Sequence, residues 1–310
     1  MENKVEKKMN TKLPVLILAF NRPDHIEESM KVLQEYKPDR LYLECDGPRI
    51  NKAGEADAVE ATRKKMLEMV TWPCEVKTLF RDENLGCAKA VYGAISWFFE
   101  SEEYGVIIED DVVVGLDFFR LCEELLPRYK DVEKIMAISA QNHNTQIGQS
   151  SSYVYTNEFI CWGWASWARA WKKMDMKMSR WHEMSLLRLV KMFGFFEGCM
   201  RFFYWNRTFR NIEKSSSWAT RYLFSIIVNN GLCIQPGVNL AVNVGTNGGT
   251  HYNIDDVDPY AYLKIEQLKL PLVFDDNAVL NKLHRSLANK DFKRIRWIGL
   301  KKKIGRLLNK

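Results

Sequence analysis

Apolar and polar positions recur along the first half of the chain in a regular order. Residues 13–20 (LPVLILAF) form a near-continuous apolar run, the pattern of a strand buried on both faces of a parallel sheet. Asn21-Arg22-Pro23 breaks the run, and Pro23 predicts a helix through about Tyr36, because the first helical position needs no N–H donor. A second strand is predicted over 40–45 (RLYLEC), ending in the turn sequence Asp46-Gly47-Pro48. Helices over 53–69, 85–99 and about 117–126 alternate with strands over 75–80, 104–108 and 135–139. Repeats of this kind imply βαβ units, hence an α/β fold with a mostly parallel central sheet and helices on both faces.

After about residue 150 the pattern changes. Residues 159–171 are crowded with Trp and small side chains, 185–230 read as helical, and 233–244 predict one or two short strands. A Gly-rich loop follows at 245–251 (GTNGGTH), ending in a single imidazole. No internal repeat is visible. The expected organisation is a polar segment over 1–12, a domain over 13–285 with a nucleotide-binding half (13–150) and an acceptor half (151–285), and a tail over 286–310.

Composition changes this picture in two places. The 310 residues are 46% hydrophobic and 27% charged, ordinary globular usage that leaves no room for a disordered or fibrous chain. The formal charge of +6 is local: residues 291–310 hold eight basic side chains and one acid, leaving a net −1 on residues 1–290. Nucleic-acid binding by the body is therefore not expected. Interleaved apolar and basic residues in the tail (DFKRIRWIGLKKKIGRLLNK) predict a segment lying on an anionic membrane surface. Seven Cys without a C-x-x-C pair point away from disulfides and structural zinc and toward a reducing, cytoplasmic setting. No apolar run is long enough to span a membrane.

Glu109-Asp110-Asp111 follows directly on the predicted strand YGVII. Ligands of open parallel sheets bind beyond the carboxyl ends of strands, and three acids there call for a counter-charge, most simply Mg²⁺ or Mn²⁺ bridging substrate phosphates. Asn21 and Arg22, Asp46, and Arg81, Asn84 and Gly86 end the other strands on the same rim. An Arg can grip phosphate or stack on a base, Asp46 can accept a uracil imide N–H, and Asn84-Leu85-Gly86 lets backbone approach a ligand.

PVLILAFNR (14–22), CDG (45–47), VIIEDDVVVGLDFF (106–119), MAISAQNHN (136–144) and FICWGWASW (159–167) together resemble the N-acetylglucosaminyltransferase I family and its bacterial relatives, nucleotide-sugar glycosyltransferases of the GT-A type. The resemblance spans roughly 13–251. It implies Asp111 as the metal ligand, Asp110 near the ribose, Glu109 in support, and Arg22 and Asp46 at the uracil. It also implies Gly163 and Trp164 at the sugar pocket and His251 approaching the metal or the diphosphate; among the other Trp residues, Trp162 and Trp218 are the further candidates for the sugar. Inverting members place an Asp just after a Trp as the catalytic base, whereas Trp218 here is followed by Ala219 and Thr220. Another acid has to serve, with Glu213 and Glu158 as candidates, unless the chain is an inactive relative.

The activity so implied is metal-assisted transfer of a sugar from a UDP-sugar to a glycan or lipid-linked acceptor at the inner face of the cell membrane, in surface polysaccharide synthesis. Two other classes compete. A sugar-1-phosphate nucleotidyltransferase would want a Gly-rich phosphate loop after the first strand, and LAFNRPDH has no Gly. A non-catalytic carbohydrate-binding protein would use the aromatic half alone.

Overall fold

The fold is that of a computed structural model, which describes residues 12–143, 152–245, 263–275, 277–281, 285–286 and 290. The N-terminal segment 1–11, residues 246–251 with His251, and the basic tail 291–310 lie outside the described residues.

The chain begins with β1 (Val15–Ala19), α1 (Pro23–Tyr36), β2 (Arg40–Cys45), α2 (Glu55–Glu68), β3 (Glu75–Phe80), α3 (Cys87–Ser101) and β4 (Tyr104–Glu109). β1 lies between β2 and β4 and β2 beside β3, all parallel, so four strands end at one rim. β1 is apolar at every position because both its faces are covered. β3 is the edge strand and correspondingly half-exposed. β5 (Val112–Val114), α4 (Leu116–Arg128), β6 (Ile135–Ser139), β7 (Tyr153–Thr156), β8 (Trp164–Trp167) and α5 (Ala168–Trp171) follow, of which periodicity predicts α4 and β6 but does not separate β5, β7, β8 and α5. β8 runs antiparallel between β4 and β6, so the fifth predicted strand is not the neighbour of the fourth.

The helical stretch divides into α6 (Leu186–Phe193), α7 (Phe195–Arg210) and α8 (Trp218–Val228), broken at Gly194 and at residues 211–217. β9 (Leu232–Pro236) completes the sheet between β6 and β7, giving eight strands ordered β3-β2-β1-β4-β8-β6-β9-β7. β10 (Ala241–Asn243) pairs antiparallel with β5 in a separate ribbon. The sheet and its covering helices share one large core, and α6, α7 and one face of α8 enclose a second, built on Trp181, Phe193, Trp205 and Phe224. No helix among the described residues is long and apolar enough to cross a membrane.

Candidate functional site

In the sheet, Leu18 pairs with Glu44 of β2 on one side and with Glu109 of β4 on the other, which puts both carboxylates on the same face near the rim. The chain then turns through Asp110 and Asp111 into β5. Asp110 is fixed by its own N–H to Leu18 O at 2.9 Å, and its carboxylate accepts from Phe20 N–H at 3.3 Å. Arg22 spans both acids, donating from Nη2 to Asp110 Oδ1 and from Nη1 to Asp111 Oδ2 at 3.0 Å. The counter-charge expected at the acidic cluster is thus supplied partly from within. Nε also faces Asp110 Oδ2 at 3.4 Å, leaving two of the five guanidinium N–H groups for a ligand.

One guanidinium does not balance three carboxylates. Burial, then the charges of Asp111 and Asp110, raise the Glu109 carboxyl above its ordinary range, and burial raises Asp110 against the pull of Arg22. Asp111 Oδ1 and Glu109 Oε1 are enclosed without a hydrogen-bond partner among the described residues. Orphaned buried oxygens of this kind fit a hard cation, which takes carboxylate oxygen. No cluster of three or more potential ligands exists among the described residues. A cation here would rest on one or two carboxylates and on substrate phosphates, the usual manner of Mg²⁺. The β5–β10 ribbon closes the other side: Val244 N–H donates to Asp111 O at 2.8 Å, and a Cβ on Gly245 would fall 2.4 Å from Asp111 Oδ2. His251 begins six residues beyond that glycine, outside the described residues.

The neighbouring rim residues hold one another. Asp46 is buried and accepts from Gly47 N–H, Leu85 N–H and Asn84 Nδ2 at 3.0 Å and from Gly86 N–H at 3.1 Å. Four donors fill the acceptor capacity of a carboxylate, so Asp46 and Asn84 shape the loop into α3, where the expectation was a direct contact of Asp46 with uracil. Gly86 supplies the left-handed φ of 77° at the start of that helix. Arg81 is turned inward onto Glu44 and the Ala90 carbonyl and is not presented to phosphate. Burial still pushes the Glu44 carboxyl up to about 8 against the pull of Arg81.

The aromatic half departs furthest from expectation. Trp164 is fully buried and Trp218 is 4% exposed, and they stack at 5.6 Å within the core, so neither offers a face to a sugar. Their stack instead brings the start of α8 over β8 at Trp164, which pairs with Ile107, two residues before Glu109. Gly163 adopts φ 70°, and a Cβ there would meet Val114 Cγ1 at 2.4 Å, so it is a packing glycine beneath the ribbon. Trp162 is half-buried, two residues before β8, and packs against the main core. Glu158 is ion-paired at 2.6 Å with Arg201, which also holds Glu197, so it is not a free base. Glu213 is exposed on the 3₁₀ turn Ile212–Lys214 that leads into α8.

Four contributors went unnoticed in sequence: Glu44, Glu55, Ser29 and Gly245's contact with Asp111. Ser29 Oγ donates to Val112 O at 2.8 Å from inside α1, and only its place one residue before an apolar Met hinted at burial. Glu55, in the first turn of α2, receives Asn21 Nδ2 at 3.0 Å and the Arg49 guanidinium, so Asn21 braces a loop.

The GNT-I family matches residues 1–188. Among curated proteins, none matches the chain. HddC from Yersinia pseudotuberculosis is similar at 12% identity over 51% of this chain and 77% of that one, with a TM-score of 0.32. Its complex with GMP-PN gives the same figures. UDP-glucose pyrophosphorylase complexed with UDP-glucose is similar at 8% identity over 73% of this chain and 90% of that one, with a TM-score of 0.33.

Proposed function

The chain belongs to the GNT-I family and is a nucleotide-sugar-using enzyme; from that premise we propose that it is a metal-dependent, inverting glycosyltransferase. The donor is a UDP-sugar and the acceptor a glycan or a lipid-linked sugar, in surface polysaccharide synthesis on the cytoplasmic side of the membrane. The observation that carries the reading is the enclosed, partnerless Asp111 Oδ1 beside Arg22 at the rim where four parallel strands end.

Asp111, with Glu109 behind it and His251 from the following loop, would hold Mn²⁺ or Mg²⁺, which when bound offsets charge on the leaving diphosphate. Arg22 keeps Asp110 and Asp111 aligned and turns its two remaining N–H groups to the phosphates. Asp46 holds the Asn84 side chain and the backbone N–H groups of Leu85 and Gly86, against which the base lies. Trp162 takes the sugar position that Trp164 and Trp218 are too buried to fill. Glu213 is the base of choice, since Glu158 is committed to Arg201 and Glu213 is exposed on the turn that leads into α8. It would accept the proton of the attacking hydroxyl.

The test is release of UDP from UDP-sugars with and without Mn²⁺ and acceptor. Asp111→Asn should lower turnover by at least about a hundredfold while leaving the thermal midpoint close to wild type. Wild-type rates in Asp111→Asn, or in excess EDTA, would sink the metal reading. Glu213→Gln should cut kcat by roughly 10²-fold or more with KM for the donor unchanged; a loss confined to Glu158→Gln would move the base there.

A further inference from the structure

The α6–α7 hairpin exposes large apolar side chains that the site does not use. Leu187 is 63% exposed, Phe195 78% and Phe203 65%, the last two on a helix otherwise anchored by buried Glu197, Gly198, Arg201 and Trp205. At 3.6 residues per turn, positions 195, 203, 207 and 210 of α7 fall within about a third of its circumference, opposite that buried face. On α6, Leu187 and Lys191 are one turn apart and both exposed. Lys191, Arg207 and Arg210 are exposed among these apolar groups. From 185 to 211 the only acid is Glu197, and it is turned inward onto Arg201. The outer face of the hairpin therefore presents apolar and cationic side chains and no acid of its own helices.

Charge decides what can cover such a face. A second copy would bring the same cationic surface against itself. The chain's own residues 291–310 carry a net +7 and would be repelled by the same cations. An anionic lipid surface takes both at once: Phe and Leu enter the acyl boundary while Lys and Arg meet the headgroups. We propose that the outer face of the α6–α7 hairpin, with Phe195 and Phe203 as its apolar anchors and Lys191, Arg207 and Arg210 as its cations, docks the protein on an anionic phospholipid bilayer. Binding needs neither donor nor catalysis, so the inference does not depend on the transferase reading.

The full chain, without nucleotide sugar, is sedimented with vesicles of phosphatidylcholine alone and of phosphatidylcholine containing a third phosphatidylglycerol. The expected result is binding to the anionic vesicles only, weakened by salt. Phe195→Ser combined with Phe203→Ser should weaken it by about tenfold or more with an unchanged thermal midpoint, because both side chains are already exposed. Arg207→Gln with Arg210→Gln should erase part of the preference for phosphatidylglycerol. When Lys301, Lys302 and Lys303 are replaced by Gln, the remaining binding should still fall in the Phe195/Phe203 pair. Unchanged binding in that pair overturns the proposal, as does equal binding to neutral vesicles. So does a concentration-dependent dimer that the same pair dissociates in a protein that ignores vesicles.

Discussion

The Glu55 carboxylate accepts from Asn21 Nδ2 and from the Arg49 backbone N–H at 2.8 Å, besides the Arg49 guanidinium, and so ties the exits of β1 and β2 together. The Arg49 hydrogen bonds hold its carboxyl down to about 2, below the 4.5 of an ordinary Glu. A lowered folded-state value means that the stability it contributes is fully present above about pH 4.5 and is lost as pH falls toward 2. Glu55→Gln should therefore be less stable than wild type in urea at pH 7, with the gap closing as pH is lowered through that window. A gap that stays constant with pH would show that packing of the side chain, not its charge, is what counts. The Trp residues separate in the same way. Trp164→Ala should cost about 3–5 kcal/mol of stability, as for other large buried aromatics, whereas Trp162→Ala should raise the KM for the donor with a smaller effect on unfolding. The reverse pattern would return Trp164 to the sugar pocket.

Strand β5 and strand β10 form the element that sets Asp111. Their pairing of Val112 with Asn243 brings Gly245 against the carboxylate, where an added methyl would fall 2.4 Å from Oδ2. Gly245→Ala should raise the Mn²⁺ concentration needed for half-maximal turnover by about tenfold, through displacement of a ligand by a fraction of an ångström, with little change in melting; an unaltered Mn²⁺ requirement would mean the loop shifts instead. Periodicity made the β1–α1–β2 and β3–α3–β4 units legible, because each runs long enough to show its period. β5, β7 and β8 are three or four residues each, too short to alternate visibly, and WASW of β8 satisfies a core and a sugar pocket equally well in sequence. The acids were legible as charge after a buried strand. Arg22's grip on them was not, since those partners are 88 and 89 residues apart and only the sheet order brings them together.

Two cores meet at α8. Trp218, Tyr222 and Ile226 recur every four residues on the face turned to the sheet, and Phe224, Ile227 and Val228 face the α6–α7 hairpin. The hairpin is closed at Gly198, where a Cβ would lie 2.6 Å from the Val190 backbone. Since backbone cannot move aside as a flexible side chain can, Gly198→Ala should part α6 from α7 at a cost of about 1–3 kcal/mol. If the second core opens on its own, amide exchange should rise across 186–210 while 104–112 keeps wild-type protection and the donor KM is unchanged. That outcome would make the hairpin an attachment whose loosening weakens contact with anionic vesicles without touching chemistry. If exchange rises through α8 and into β4 together, the two cores unfold as one, and the rim acids then depend on the hairpin for their position.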